Sequence, residues 1–404
     1  MTSISARRSR ATKIGAAAAV GTIVIAAGSL VLGANMIYNS TEGNTSSAPE
    51  RRSSPLPATP NLLLGIVTDD DALASAAVLT LSPNGAGGSI VSIPANGAPV
   101  RPSGDAPAET LRTAYADGAD AALGLAATSM LGVTFDQVVS IDVDELEVLL
   151  QPVGSVDVDL PADVVSDIGG SPSVLAEQGP NELDPDAVAE ALGARFVGDV
   201  TDADPPVADE NAAALWDAIA DSVGGGLDTG AAVGVDVDNG VTNFVDRLWN
   251  GPVSSRGIAS VSFESGSDDD EDDFYVMVQR SDVVLVFGQV SPRKLAAPFD
   301  GISVRLIVPF ADEDVSNAEV ATEAINFLLF ANINVTSVST AGAEDGGPDV
   351  SRVEVVNADA EPTAKNTLPS LVGDVEVVDA GYEIPGIDVV ITLGDSALAF
   401  YDVD

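Results

Sequence analysis

Apolar positions fall into three regimes along the chain. Residues 14–37 form a 24-residue uncharged run, IGAAAAVGTIVIAAGSLVLGANMI. As a helix rising ~1.5 Å per residue it reaches ~36 Å, enough to cross a ~30 Å hydrocarbon core with some tilt. Residues 39–60 show no apolar period and are rich in Ser, Thr and Pro, the composition of a flexible stalk. From residue 61 onward, short apolar or alternating runs bounded by Gly, Pro and Asp are interleaved with stretches of helical spacing.

The short runs predict strands at 61–67, 77–81, 89–93, 137–143 and 156–160, the last alternating strictly as VDVDL. Across 106–131, Leu111, Ala114, Tyr115, Gly118, Ala122 and Leu125 recur near helical spacing, with Asp105 placed as an N-cap. Further helices are predicted at 144–150, 184–194, 208–223 and 241–249, and strands at 258–263, 274–279 and 283–287. Strands interleaved with helices indicate an α/β sandwich, and Trp216, Phe244, Leu248 and Trp249 stand at apolar helix positions of its core. A break at 298–301 precedes a second α/β unit: strand 302–309, helix 315–330, strands 334–338 and 352–356, helix 362–371, and strands 375–378 and 388–393. Its length of about 100 residues is a normal domain size.

Charge orients this plan. Arg7, Arg8, Arg10 and Lys13 all precede the apolar run, and the next charges after it are Glu42 and Glu50. The positive-inside rule leaves 1–13 as a cytoplasmic basic tail and everything after residue 37 outside the cytoplasm. A cleaved signal peptide is the alternative for 14–37, but the run exceeds the usual h-region and no A-x-A site follows it. From residue 61 onward there are 11 Lys/Arg against 60 Asp/Glu, a net of −49. Such a body repels nucleic acid and anionic headgroups and attracts cations or basic partners. With no Cys and no His, it lacks disulfides, thiolate nucleophiles, the usual zinc ligands and histidine acid/base catalysis. Asp69, Asp70 and Asp71 follow the first strand, where carboxylates can collect a divalent cation or simply form a solvated turn. The six acids at 268–273 lie between two strands, repel one another and favour a loop. Ser75 and Ser92 have no basic partner nearby to activate them as nucleophiles.

The order of motifs resembles the LytR-CpsA-Psr family followed by a LytR C-terminal domain. NLLLG at 61–65, the Ser92-Ile93-Pro94 turn, LRTAYADG at 111–118, Leu131-Gly132-Val133, VGSVDVDLP at 153–161 and GPNELD at 179–184 fall in the family's order. In the second unit 304–310, 318–329, 353–357 and VVITLGD at 389–395 resemble the appended domain. The resemblance implies an α/β/α sandwich with a mixed sheet at 61–298 and a small second α/β domain at 301–404, after the membrane helix and a linker at 38–60. It also implies transfer of lipid-linked glycopolymers to peptidoglycan, with arginines, aspartates and a divalent metal holding a polyprenyl pyrophosphate.

The charged positions depart from that pattern. Ala72 and Ala74 stand where the family places Arg and Asp, Ala95-Asn96 where it places Arg-Asp, and Gly193-Ala194-Arg195 where it places Arg-x-Arg. Asn211-Ala212 replaces a later Arg-Gln, and Gln151 an aspartate. Arg195 alone matches a family arginine and is the candidate ligand contact, against its reading as an ordinary surface arginine. The expectation is an anchored envelope protein that binds or scaffolds without a catalytic residue or a cofactor. Its partners would be the membrane, cell-wall glycan, a polyprenyl lipid or another envelope protein, and not nucleic acid. The alternatives are a working phosphotransferase using Mg²⁺ or Mn²⁺ on Asp69–Asp71, and a structural acidic surface protein.

Overall fold

The computed structural model describes residues 52–401 apart from 69, 102–107, 168–171, 195, 198–204, 231–239, 265–273, 312–314 and 343–345. These belong to one compact unit running from Arg52. No helix among the described residues is long and apolar enough to cross a membrane; the 14–37 run and the acidic 268–273 loop lie outside them.

The first sheet has the order β5-β3-β2-β1-β4, from β1 (Asn61–Val67), β2 (Leu73–Leu81), β3 (Gly88–Ile93), β4 (Gln137–Ile141) and β5 (Val253–Gly257). Pairs β1/β2 and β2/β3 are antiparallel, while β1/β4 and β3/β5 are parallel, so the sheet is mixed as expected. Period-2 geometry sends Leu62, Leu64 and Ile66 to one face and Leu63 and Val67 to the other. Both faces are covered, which is why the strand reads as a continuous apolar run.

On the Leu64 face pack helices α2 (Val143–Leu150), α3 (Pro185–Leu192), α4 (Pro205–Val223) and α5 (Gly240–Trp249). Trp216, Phe244, Leu248 and Trp249 are all buried there. Trp249 donates its indole N–H to the Leu149 carbonyl at 3.0 Å, which satisfies the one polar atom it carries inward. The opposite face is covered by α1 (Leu111–Leu131) and α6 (Arg280–Val290). The layers therefore form an α/β/α sandwich.

Several local expectations are corrected. The helix at 106–131 begins at Leu111, and Thr110 rather than Asp105 is its N-cap, closing a capping box with Thr113. It ends on Gly132 at φ 61°, a left-handed C-cap that glycine adopts without strain. It is broken at Gly118 and Ala119, whose backbone angles are non-helical. The 283–287 run, expected as a strand, lies inside helix α6. Val283, Val286 and Phe287 enter the first sheet's core while Val284 and Leu285 enter the second's. A helix apolar all round because it is buried all round cannot be told from a strand by periodicity.

The second sheet has the order β7-β6-β10-β8-β9, from β6 (Ser303–Ile307), β7 (Asn334–Ser339), β8 (Ser351–Val355), β9 (Val375–Asp379) and β10 (Val389–Thr392). Only β8/β10 is antiparallel. Helices α7 (Asn317–Phe330), α8 (Glu361–Asn366), α9 (Pro369–Val372) and α10 (Asp395–Tyr401) share one core with its inner face. Helix α6 seats against β7 at Gly288, where an added Cβ would come within 2.7 Å of a Val338 methyl. The outer face carries only a thin cluster of Val356, Ile384, Ile387 and Val390, against which Leu56 and Ile307 pack. The chain segment entering the body thus covers part of this sheet: Arg52–Ser53 pairs in parallel with Tyr382–Glu383.

Candidate functional site

The segments that the resemblance assigns to ligand binding converge at one end of the first sheet, where β1 ends, β2 begins and β3 turns into 94–96. Chain reversal there is made by the β1–β2 hairpin. Thr68 and Ala72 exchange backbone and side-chain hydrogen bonds across it, and Asp71 takes the left-handed position at φ 60°. Asp70 accepts a hydrogen bond from the Thr68 hydroxyl, and both acids are exposed. These are turn roles that Asp fills well. Asp69 lies outside the described residues. Among the described residues no group of three or more Asp, Glu, His or Cys gathers as metal ligands. Asp70 and Asp71 are thus placed by the turn itself, at its exposed tip.

Arg195 also lies outside the described residues, beyond the C-terminal end of α3. At Gly193, where the family places an arginine, a Cβ would meet a Val143 methyl at 2.5 Å. The space is already occupied by the neighbouring helix. Asn211 is buried and spends its amide on the backbone of Ala162, accepting from its N–H at 3.2 Å and donating to its carbonyl at 3.1 Å. Ser75 donates to the Leu192 carbonyl at 2.7 Å, tying β2 to the end of α3. Ala74 and Ala95 are buried and carry no polar side-chain atom.

Two residues that the sequence reading did not single out occupy the centre. Arg112, on the first turn of α1, donates from Nε to the Leu73 carbonyl at 2.9 Å and from a terminal nitrogen to the Ala74 carbonyl at 3.4 Å. Asp209, on α4, has an oxygen enclosed without a hydrogen-bond partner. Burial pushes its carboxyl up to about 7, against the opposing pull of the Arg112 charge and the Ala95 backbone N–H, while Glu210 adds to the rise. Arg112 was legible as one of only two basic residues between 61 and 194, the other being Arg101. Asp209 is one acid among sixty in the body, and nothing in the sequence distinguishes it.

Asp209 borders a cavity of about 20 Å³, walled also by Ala74, Ser75, Leu192, Ala208 and Ala212 among others. That is room for about one water molecule. Here the Arg112 guanidinium ties the start of β2 to α1 through two carbonyls, and burial favours the neutral form of the Asp209 carboxyl.

No family model matches this chain, and no curated protein matches it in sequence. Among solved structures, it is similar to B. subtilis TagV (14% identity, TM-score 0.38, covering 56% of this chain and 94% of that one). A structure of TagT bound to LIIa-WTA is 15% identical, with a TM-score of 0.38 over 61% of this chain and 94% of the other. The LytR-CPS2A-Psr family protein YwtF (TagT) with bound octaprenyl pyrophosphate lipid is 16% identical, with a TM-score of 0.36 over 60% and 93%. What this chain is similar to in structure thus includes proteins of the LytR-CPS2A-Psr family.

Proposed function

We propose that this chain is an envelope protein held in the cytoplasmic membrane by residues 14–37, with a LytR-CpsA-Psr-like body outside that binds or scaffolds and does not transfer glycopolymers. The motif order along 61–404 supports the envelope family, and the uncharged run with its four preceding basic residues supports the anchor. The observation carrying the non-catalytic reading is the loss of ionised side chains at the positions the resemblance assigns to the pyrophosphate. Ala72, Ala74, Ala95 and Gly193 stand where the resemblance places ionised side chains, and at Gly193 even a Cβ would meet Val143. A pyrophosphate leaving group needs several charge-assisted contacts, each contributing roughly 1.5–3 kcal/mol. Each 1.4 kcal/mol is about tenfold in rate. Losing several removes many orders of magnitude even with strong non-additivity.

The test incubates the purified chain with a polyprenyl-pyrophosphate glycan, an acceptor glycan and Mg²⁺ or Mn²⁺. No release of the polyprenyl carrier is expected. Metal-dependent release abolished by Asp70→Ala would replace this reading with a working phosphotransferase. Protease added to protoplasts should digest the body; digestion only after lysis would sink the topology.

A further inference from the structure

We propose a second site, unrelated to the first sheet: a phosphate-class oxyanion site built jointly by the stalk and the outer face of the second sheet. The cleft there has a volume of about 580 Å³ and is lined by residues 52–55 of the stalk together with Arg305, Tyr382 and Ile384. In a body of net −49 a concentration of guanidinium groups is not a solubility feature and asks for a reason.

Strand geometry accounts for the arrangement. Val304 and Leu306 of β6 face the helices, so Arg305 between them faces outward. The outer face holds only the thin apolar cluster, leaving the guanidinium half-buried rather than covered. Its Nε is enclosed and has no hydrogen-bond partner, an orphan donor at the floor of a polar cleft. Arg52 arrives from the other side because Arg52 and Ser53 are paired with Tyr382 and Glu383, and the Ser54 N–H donates to the Glu383 carbonyl at 2.8 Å. Neither Arg52 nor Arg305 makes an ion pair among the described residues, whereas neighbouring Arg352 is paired with Glu354 at 3.2 Å. Glu354 also accepts from the Tyr382 hydroxyl at 2.6 Å, so this acid of the outer face is already engaged. Glu383 supplies its backbone to the stalk.

Two guanidinium forks flanked by serine hydroxyls suit the oxygens of a phosphate, which accept bidentate N–H donors. Because one fork comes from the stalk and the other from the sheet, the anion binds only when the stalk is docked. By linkage it must then favour docking. The ligand's phosphate has two sources, a lipid headgroup near the anchor or a soluble phosphorylated envelope glycan, and the cleft chemistry is the same for both.

The experiment uses the full chain in phosphatidylcholine nanodiscs, titrated with inorganic phosphate. Two readouts are followed: calorimetric binding and tryptic cleavage of the Arg52–Ser53 bond. Phosphate is expected to bind and to slow that cleavage severalfold. Arg305→Gln should weaken binding at least tenfold and abolish the protection, while Arg352→Gln, with its partner on the same face, should change affinity less than about threefold. Protection in phosphatidylglycerol discs without added phosphate, lost in Arg305→Gln, also sustains the site and assigns the phosphate to a headgroup. Absence of phosphate binding at millimolar concentration in phosphatidylcholine discs, together with no Arg305-dependent protection in phosphatidylglycerol discs, overturns the proposal. So does binding that Arg305→Gln leaves intact.

Discussion

Every residue of β1 and β2 is buried, whereas β8 in the second sheet alternates buried positions with the exposed Arg352 and the half-buried Glu354 along Ser351–Val355. The first sheet is sandwiched between two thick cores, one holding Trp216, Phe244 and Trp249 and the other holding Leu123, Leu131 and Phe287. The second has one thick core and, on its outer face, four fully buried apolar residues and a docked stalk. The difference teaches where each half can meet a ligand. At the end of the first sheet where strands usually present ligands, the buried residues include Ala74 and Ala95, which carry no polar side-chain atom. One-sided burial at the second leaves side chains such as Arg305 on a face that only the stalk partly closes.

The largest test of this contrast concerns where one half ends. Helix α6 gives Val284 and Leu285 to the second core and Val283, Val286 and Phe287 to the first. Burying two such side chains contributes roughly 1.5–3 kcal/mol each. A fragment spanning 279–404 is therefore expected to unfold cooperatively and to be more stable than 301–404 by a few kcal/mol, measured by urea denaturation. Equal midpoints for the two fragments would show that α6 belongs to the first half alone. A smaller effect separates the two kinds of face. Leu64→Ala, in the thick core, should cost about 3–5 kcal/mol, and Ile384→Ala, in the thin outer cluster, about 2 kcal/mol. If Ile384→Ala costs as much as Leu64→Ala, the outer face is a real core and the contrast fails.

Much of this layering was legible in the pattern of apolar residues. The continuous run at 61–67 announced a strand covered on both faces, and the break at 298–301 fell between the sheets. What the pattern hid was burial that comes from elsewhere in the chain. Helix α6 reads as a strand because VVLVF is apolar at every position, and it is so because two different sheets press on it. Strand β5, at Val253–Gly257, was missed because VSSRG is polar and sits at an edge, held by parallel pairing to β3. At the site, the losses were legible and the replacements were not. Alanines at 72, 74 and 95 could be read from the sequence, but only tertiary packing brings Arg112, ninety-seven positions away in sequence, near enough for its charge to act on Asp209.

The remaining expected effect is the most specific to the cavity that Asp209 borders. The Asp209 carboxyl is held at about 7 in the folded chain, above its ordinary 3.8, because burial outweighs the attraction of Arg112. Its pKa is raised, so between those values the folded state binds a proton that the unfolded state has released. Stability must then fall as pH rises from about 4 to about 7, and level off above. Asp209→Asn keeps the shape of the neutral carboxyl and cannot ionise. The variant should match the parent chain near pH 4 and exceed it at pH 8, so that the difference between their unfolding midpoints opens across that window. Subtracting the two profiles cancels the titration of the other acids, which both chains share. A difference that stays constant with pH would mean that Arg112 holds Asp209 as an ordinary carboxylate. The end of the first sheet would then keep an intact ion pair, and the contrast with the open outer face of the second would lose its electrostatic half.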